Sequence, residues 1–374
     1  MMARMTHRYT PVLSHMVHAD YFRTYAAPWK ESVVSQEKNS ASSFSTLHAC
    51  IKKAGLLRKQ SHYYDWVILR TLLMFVSIYT ATILVRMVTD SFLPHIPIAL
   101  ALGCAITQMG FILHDTGHGQ LSTKYFPMAL VRRFGNLFLC VSMTAWFRDH
   151  TAHHDNPNDE RADPDSQIKV FAFTKRQAQS RSGWYRFIAK YQAYLFIPVS
   201  LFSLTSMRIT AIGHVLRGEV EKPLQELVVT GTSAIVYIAA MLFIHGWHGL
   251  LFIAVAELTA GLYMGLAFIT NHRGRPDFSQ KTVDDFLLKQ VETARNISSR
   301  YKPIDTLIHF MYGGLNCQIE HHLWPYMPRC NLRKARKIVQ DYCREHGVDY
   351  HSVSIMQTYK EVFLHFSHMS KFVH

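Results

Sequence analysis

Three histidine clusters stand close-spaced in this chain: His-Asp-Thr-Gly-His at 114–118, His-Thr-Ala-His-His at 150–154 and Gln-Ile-Glu-His-His at 318–322. A further histidine, His272, follows Asn271 at the end of an apolar run. Helical residues three or four apart share a face, so each cluster directs two or three imidazoles at one point. Three imidazoles on one face repel when protonated and gain little by packing. As neutral ligands they suit iron, zinc or copper. Eight nitrogen donors are too many for one metal and fit two. The other histidines, including His245, His248, His365, His368 and His374, are scattered and read as part of an aromatic-rich interfacial composition.

A ligating imidazole needs its second nitrogen held by another group. Asp115, Asp149, Asp155 and Glu320, interleaved with the clusters, are candidates for that role, and Asn158, Asn271 and Asn316 are placed as neutral partners. The plain alternative for each is a solvated loop residue.

The elements that must position these groups are apolar. Residues 71–85, 91–113, 191–207 and 227–244 contain no Asp, Glu, Lys or Arg, and 250–270 carries only Glu257. Stretches of about 20 apolar residues are what a bilayer core requires. The expected spans are 66–88, 95–113, 227–244 and 250–270. A polar segment 1–65, with Ser-rich 39–45 as a loose linker, precedes a membrane domain 66–350, and 351–374 is expected as a tail. Glu257 inside a span demands a cavity or a partner such as His245 or a neighbouring helix.

A shared metal centre requires all three clusters and His272 on one membrane face. The amphipathic stretch 125–147 therefore cannot cross once. Between His154 and His272 the crossings must be even, and the pair 227–244 and 250–270 supplies two. The run 191–207, with Pro198 inside it, must then lie in the interface or dip in and return. The expected fold is an all-α integral membrane protein: four transmembrane helices, interfacial helices, and a helical cap on the cytosolic side that holds the metals.

The net charge of +14 follows from basic residues outside the spans, nine Lys and Arg against four acids in 1–65 and fifteen against ten in 271–374. Their placement beside apolar runs is the positive-inside pattern, which puts both termini in the cytosol and leaves no need for a nucleic-acid partner. Six cysteines form no Cys-x-x-Cys pair, so neither a disulfide framework nor a zinc ribbon is expected. Residues 1–65 contain no apolar stretch of the kind a cleavable signal peptide needs.

His-Asp-Thr-Gly-His, His-Thr-Ala-His-His-Asp-Asn-Pro-Asn and Gly-Gly-Leu-Asn-Cys-Gln-Ile-Glu-His-His-Leu-Trp-Pro (313–325) resemble the membrane fatty-acid desaturase family. Gln318 at the head of the third cluster resembles its front-end group of Δ5, Δ6 and sphingolipid Δ8 enzymes. The resemblance implies two irons, O2 as co-substrate, and ligands His114, His118, His150, His153, His154, His272, His321 and His322, with Gln318 a weaker ligand. It implies an acyl-lipid or acyl-CoA substrate held in the endoplasmic reticulum or a bacterial inner membrane. It also implies electrons from cytochrome b5 or ferredoxin with a reductase. The sequence has no His-Pro-Gly-Gly haem motif, so the carrier is expected to be a separate protein. Asn271-His272-Arg273-Gly274 departs from the His-Asn order of many front-end members.

The expected reaction is O2-dependent insertion of a cis double bond into a long acyl chain. A hydroxylase of the same superfamily is the nearest alternative, since it differs only in the fate of the second hydrogen. A metal transporter or receptor fits less well, because transport needs polar ligands near the midplane and these histidines sit at the ends of spans.

Overall fold

The computed structural model describes residues 43–121, 125–278 and 285–373; residues 1–42, with most of the expected polar segment, lie outside these, as does His374. Helix α1 (Ser43–Lys53) precedes α2 (Ser61–Val88), α3 (His95–Gly117), α4 (Tyr125–Leu139) and α5 (Met143–Asp155). Then come α6 (Lys175–Ser180), α7 (Gly183–Ser200), α8 (Ser203–Leu216), α9 (Pro223–His245) and α10 (His248–His272). The remainder holds α11 (Phe286–Glu292), β1 (Asn296–Ile297), α12 (Lys302–Met311), α13 (Gln318–Leu323), α14 (Arg329–Glu345), β2 (Ser352–Val353) and α15 (Ile355–Ser370). The two short strands pair in parallel.

Among the described residues, α2, α3, α9 and α10 are long and apolar enough to cross a membrane. At 1.5 Å per residue, 23 residues of α3 reach about 35 Å, enough for a core of about 30 Å. All four begin or end a few residues beyond their apolar runs, so the first cluster is the last turn of α3 itself, and His272 is the last residue of α10. The opposite ends of α3, α9 and α10 meet in an aromatic cluster. There His245 packs edge-on against His95 at 4.6 Å and stacks on Phe252 at 4.7 Å.

Helices α7 and α8 form an elbow of 88° at Leu201–Phe202. The elbow presses on α10 at Gly261, where a Cβ would lie 2.0 Å from the Leu201 carbonyl oxygen. From there α8 returns toward the clusters, and His214 Nε2 lies 2.8 Å from Asp149 Oδ2, beside His150. The run 191–207 thus bends sharply, and the helix that follows it runs back toward Asp149. Glu257 finds its partner on this element, with Arg208 Nη1 2.5 Å from Glu257 Oε2, and not in His245.

The expected boundaries at 65 and 350 are not visible in the packing. Helix α1 joins a core with α11, α13 and α14 through Leu47, Ile51 and Trp324, so the Ser-rich linker gives way to helix at Ser43. Beyond 350, β2 extends β1, and α15 packs Val362 and Phe366 against Phe171, Phe173 and Phe196. These segments form the cap over the cluster-bearing helix ends.

Candidate metal centre

Each histidine is carried by a helix whose sequence sets its direction. Ser142 caps α5 by accepting the Ala145 amide, and the 3.6-residue period then aligns His150, His153 and His154. Gly313 and Gly314, at φ +56° and +86°, make the turn that delivers α13; a Cβ on Gly313 would sit 2.2 Å from Phe111. Only glycine meets both demands.

The side chains gather into two groups. Ligand nitrogens of His114, His118, His150, His154 and His321 lie within 4.8 Å of one another, as do those of His153, His272 and His322. In the first group the Nε2 atoms converge: His114 to His321 at 3.1 Å, His118 to His150 at 2.9 Å, and His154 to both His150 and His321 at 3.1 Å. In the second, Gln318 Nε2 is 3.0 Å from His272 Nε2, while Gln318 Oε1 and His322 Nε2 are buried without a hydrogen-bond partner.

Several outward nitrogens are held. His114 Nδ1 meets Asp115 at 3.1 Å, His153 Nδ1 meets Asp163 at 3.0 Å, His272 Nδ1 donates to the Thr293 carbonyl at 3.0 Å, and His322 Nδ1 donates to Gln290 at 2.8 Å. Inward lone pairs and outward tethers are the arrangement of a metal site. Burial, then the neighbouring imidazoles, push His150, His154 and His322 well below the ordinary imidazole range, and His321 falls to about 3. All four are neutral near pH 7, as ligands must be. Burial lowers His153 too, but the Asp163 carboxylate outweighs it and leaves the net shift upward. The same charge favours a cation beside His153. The donor set therefore fits two nitrogen-ligated metal ions, one per group.

A small apolar pocket of about 20 Å³ has His114 of the first group in its lining. Met143, Met207, Met264, Phe111 and Trp146 line it, and Trp146 also stacks on His150 at 4.6 Å. Methionines are the side chains most able to swing aside and widen such a pocket.

A family model, Fatty acid desaturase, matches residues 91–354, more than half of the chain. The chain belongs to the fatty acid desaturase family. An Acyl-lipid (9-3)-desaturase of Physcomitrium patens is 27% identical over 83% of this chain and 59% of its own length. Delta(8)-fatty-acid desaturase 1 of Arabidopsis thaliana is 28% identical over 81% and 69%. A Delta 8-(E)-sphingolipid desaturase of Emericella nidulans is 27% identical over 71% and 52%. The chain thus spans little more than half the length of some of these family members.

Of the expected holding groups, Asp115 touches a cluster histidine, and Tyr64 and Arg329 hold it in turn, at 3.2 and 2.7 Å. Asn158, at φ +57°, ties loops together: its Nδ2 lies 3.1 Å from the His272 carbonyl and 3.2 Å from that of Thr293. The rest face elsewhere. Asp149 pairs with His214, Glu320 accepts from Asn296 and Tyr350, and Asn316 bonds His309 and the Ile297 carbonyl. At Asp155 it is the backbone carbonyl that takes Lys289, and Asn271 Oδ1 has no partner. Adjacency in sequence to a ligand does not put a side chain on the ligand's face.

Asp163 and Gln290 do the work that sequence reasoning assigned to Asp149, Asp155 and Glu320. Asp163 stood in the acidic stretch after the second cluster, where its spacing from His153 carries no helical period. Gln290 sits on a seven-residue helix with no motif at all.

Proposed function

We propose that this protein is a membrane-bound acyl desaturase that removes two hydrogens from a long acyl chain, using O2 and two iron ions. The convergence of five Nε2 atoms in one buried group, with His114 also lining an apolar pocket, carries this reading. His114, His118, His150, His154 and His321 would hold one iron, and His153, His272 and His322 the other. Gln318 stands beside His272 as a weaker or water-mediated ligand. Two irons held there would supply the oxidising power.

The chain's own residues bind, orient and exclude water. Widened by its methionines, that pocket would hold methylenes against His114, where small misplacement changes the outcome. Asp115, Asp163, Gln290 and the Thr293 carbonyl fix the rings that face the metals. The spans α2, α3, α9 and α10 and the α7–α8 elbow put every cluster at one end, and the positive-inside pattern makes that end cytosolic.

The substrate is an acyl-lipid or acyl-CoA, in keeping with the acyl-lipid, fatty-acid and sphingolipid desaturases among the relatives. Electrons come from a separate carrier, cytochrome b5 or ferredoxin, with its reductase. Exposed Lys334 and Lys337 on α14, and Arg186 and Lys190 on α7, suit an acidic carrier.

Reconstitution with iron, carrier, reductase and acyl substrate tests the reading. Desaturation yields a product two hydrogens lighter; a product heavier by one oxygen would assign a hydroxylase instead. Full activity without iron would end the di-iron assignment.

A further inference from the structure

Outside the histidine centre, the described residues form a larger cavity of about 280 Å³ between α8, α9 and α10. Its origin is local. Thr230, Ala234 and Tyr237 lie on one face of α9, and the small side chains of Gly231 and Ala234 leave the room. A Cβ built on Gly231 meets no atom within 4 Å. Ile212 and Ile238, also in its lining, are exposed on segments that face the bilayer, so the cavity opens toward lipid.

Two buried hydroxyls in this lining, Thr230 Oγ1 and Tyr237 Oη, have no hydrogen-bond partner among the described residues. A buried polar group left unpaired costs about 1–3 kcal/mol, which a ligand's hydroxyl or carbonyl would recover. The lining holds one cation and two acids: Arg208 lies against Glu257 and also donates to the Leu139 carbonyl at 2.7 Å, while Glu226 accepts from the Thr144 hydroxyl at 2.9 Å. The excess of acid repels a carboxylate, and the two unpaired hydroxyls call for a neutral hydrogen-bonding group. At about 30 Å³ per water-sized group, the volume takes on the order of nine such groups, a stretch of one chain and not a two-chain lipid.

We propose that this cleft is a second lipid site, taking an uncharged single-chain amphiphile, a long-chain alcohol, amide or ester, with its polar group on Thr230 and Tyr237. It is distinct from the pocket at His114. The two share one partition, in which Leu139, Met143 and Met207 face the pocket while Cys140, Ser142 and Arg208 face the cleft.

The test uses iron-loaded protein and a long-chain alcohol bearing a photoreactive diazirine, with cross-links mapped by peptide mass spectrometry. Labelling should fall on α8 and α9. Gly231→Phe and, separately, Ala234→Phe fill the cleft and should cut that labelling about tenfold, the effect of about 1.4 kcal/mol. Thr230→Val with Tyr237→Phe should lower labelling by the alcohol about threefold, as loss of one net hydrogen bond does, and leave the matching alkane probe unaffected. Unchanged labelling in both filled variants overturns the site. Equal labelling by alkane and alcohol in the parent reduces it to an apolar crevice and overturns the polar assignment. Competition by a two-chain phospholipid as effective as by the alcohol overturns the single-chain assignment. Iron content, measured on the same samples, reports the metal centre independently.

Discussion

Replacing Asp163 with Asn probes the carboxylate nearest a ligand of the second histidine group, at 3.0 Å from His153 against 3.7 Å for Asp165. Asp163 is fully buried, and its two oxygens accept from His153 Nδ1, the amides of Asp165 and Asn158, and the Ser166 hydroxyl, all at 2.9 to 3.0 Å. Asn keeps the shape but turns one acceptor into a donor facing donors. If the amide nitrogen takes the outer position, the serine hydroxyl can rotate to accept, yet the Asn158 amide cannot. If it takes the inner position, His153 must adopt its other tautomer and direct a proton at the metal. Either way the nearer of the two negative charges beside His153 is gone, leaving only the exposed Asp165 at 3.7 Å. Loss of such a ring-holding partner typically weakens metal binding 10- to 100-fold, about 1.4 to 2.7 kcal/mol. Iron retained per chain, titrated against a chelator, should therefore drop for the second group before the first, with activity falling in step. Asp149→Asn and Asp155→Asn, which alter no contact to a cluster histidine, should retain parental iron. The reasoning fails if Asp163→Asn holds both irons at parental chelator concentrations, or if Asp149→Asn releases one.

His153→Ala and His321→Ala should each abolish activity and lower bound iron while membrane insertion, measured by carbonate extraction, stays intact. Gly261→Ala forces the α7–α8 elbow off the Leu201 carbonyl and should cost about 1–3 kcal/mol, read as a lower Tm in detergent, whereas Gly231→Ala should be nearly silent. Glycosylation or cysteine-labelling tags inserted at 90–94 and at 246–247 should report the face opposite to tags in 167–170 and 346–349; a shared face would remove the four-span topology. Lys334→Glu with Lys337→Glu should raise the apparent KM for the electron carrier, more so at low salt, with iron content unchanged. Arg333 and Arg336 are unsuited to that test, because both bind Asp305 and reversing them would disturb the cap.

The histidine clusters and the apolar runs were legible because each depends on a local period. Spacing of three or four residues aligns ligands on one helix whatever surrounds it, and about 20 uncharged apolar residues can be stable only in a bilayer. Parity of crossings then led to the expectation that 191–207 lies in the interface or turns back, and the chain bends by 88° at Leu201–Phe202. The partition of eight histidines into five and three was not legible, since His153 and His154 are neighbours in the chain yet point about 100° apart on α5 and join different groups. Nor were the residues that hold the rings. Asp163, Gln290 and the Thr293 carbonyl reach the centre through loops whose course is set by contacts such as Asn158 against His272 and Arg295 against the Thr270 and Arg273 carbonyls. Glu257 announced a partner without naming it, because Arg208 arrives on the far arm of the α7–α8 elbow. Local chemistry wrote the ligands and the spans; tertiary packing chose which side chain stands behind each ligand, since that depends on where distant segments end.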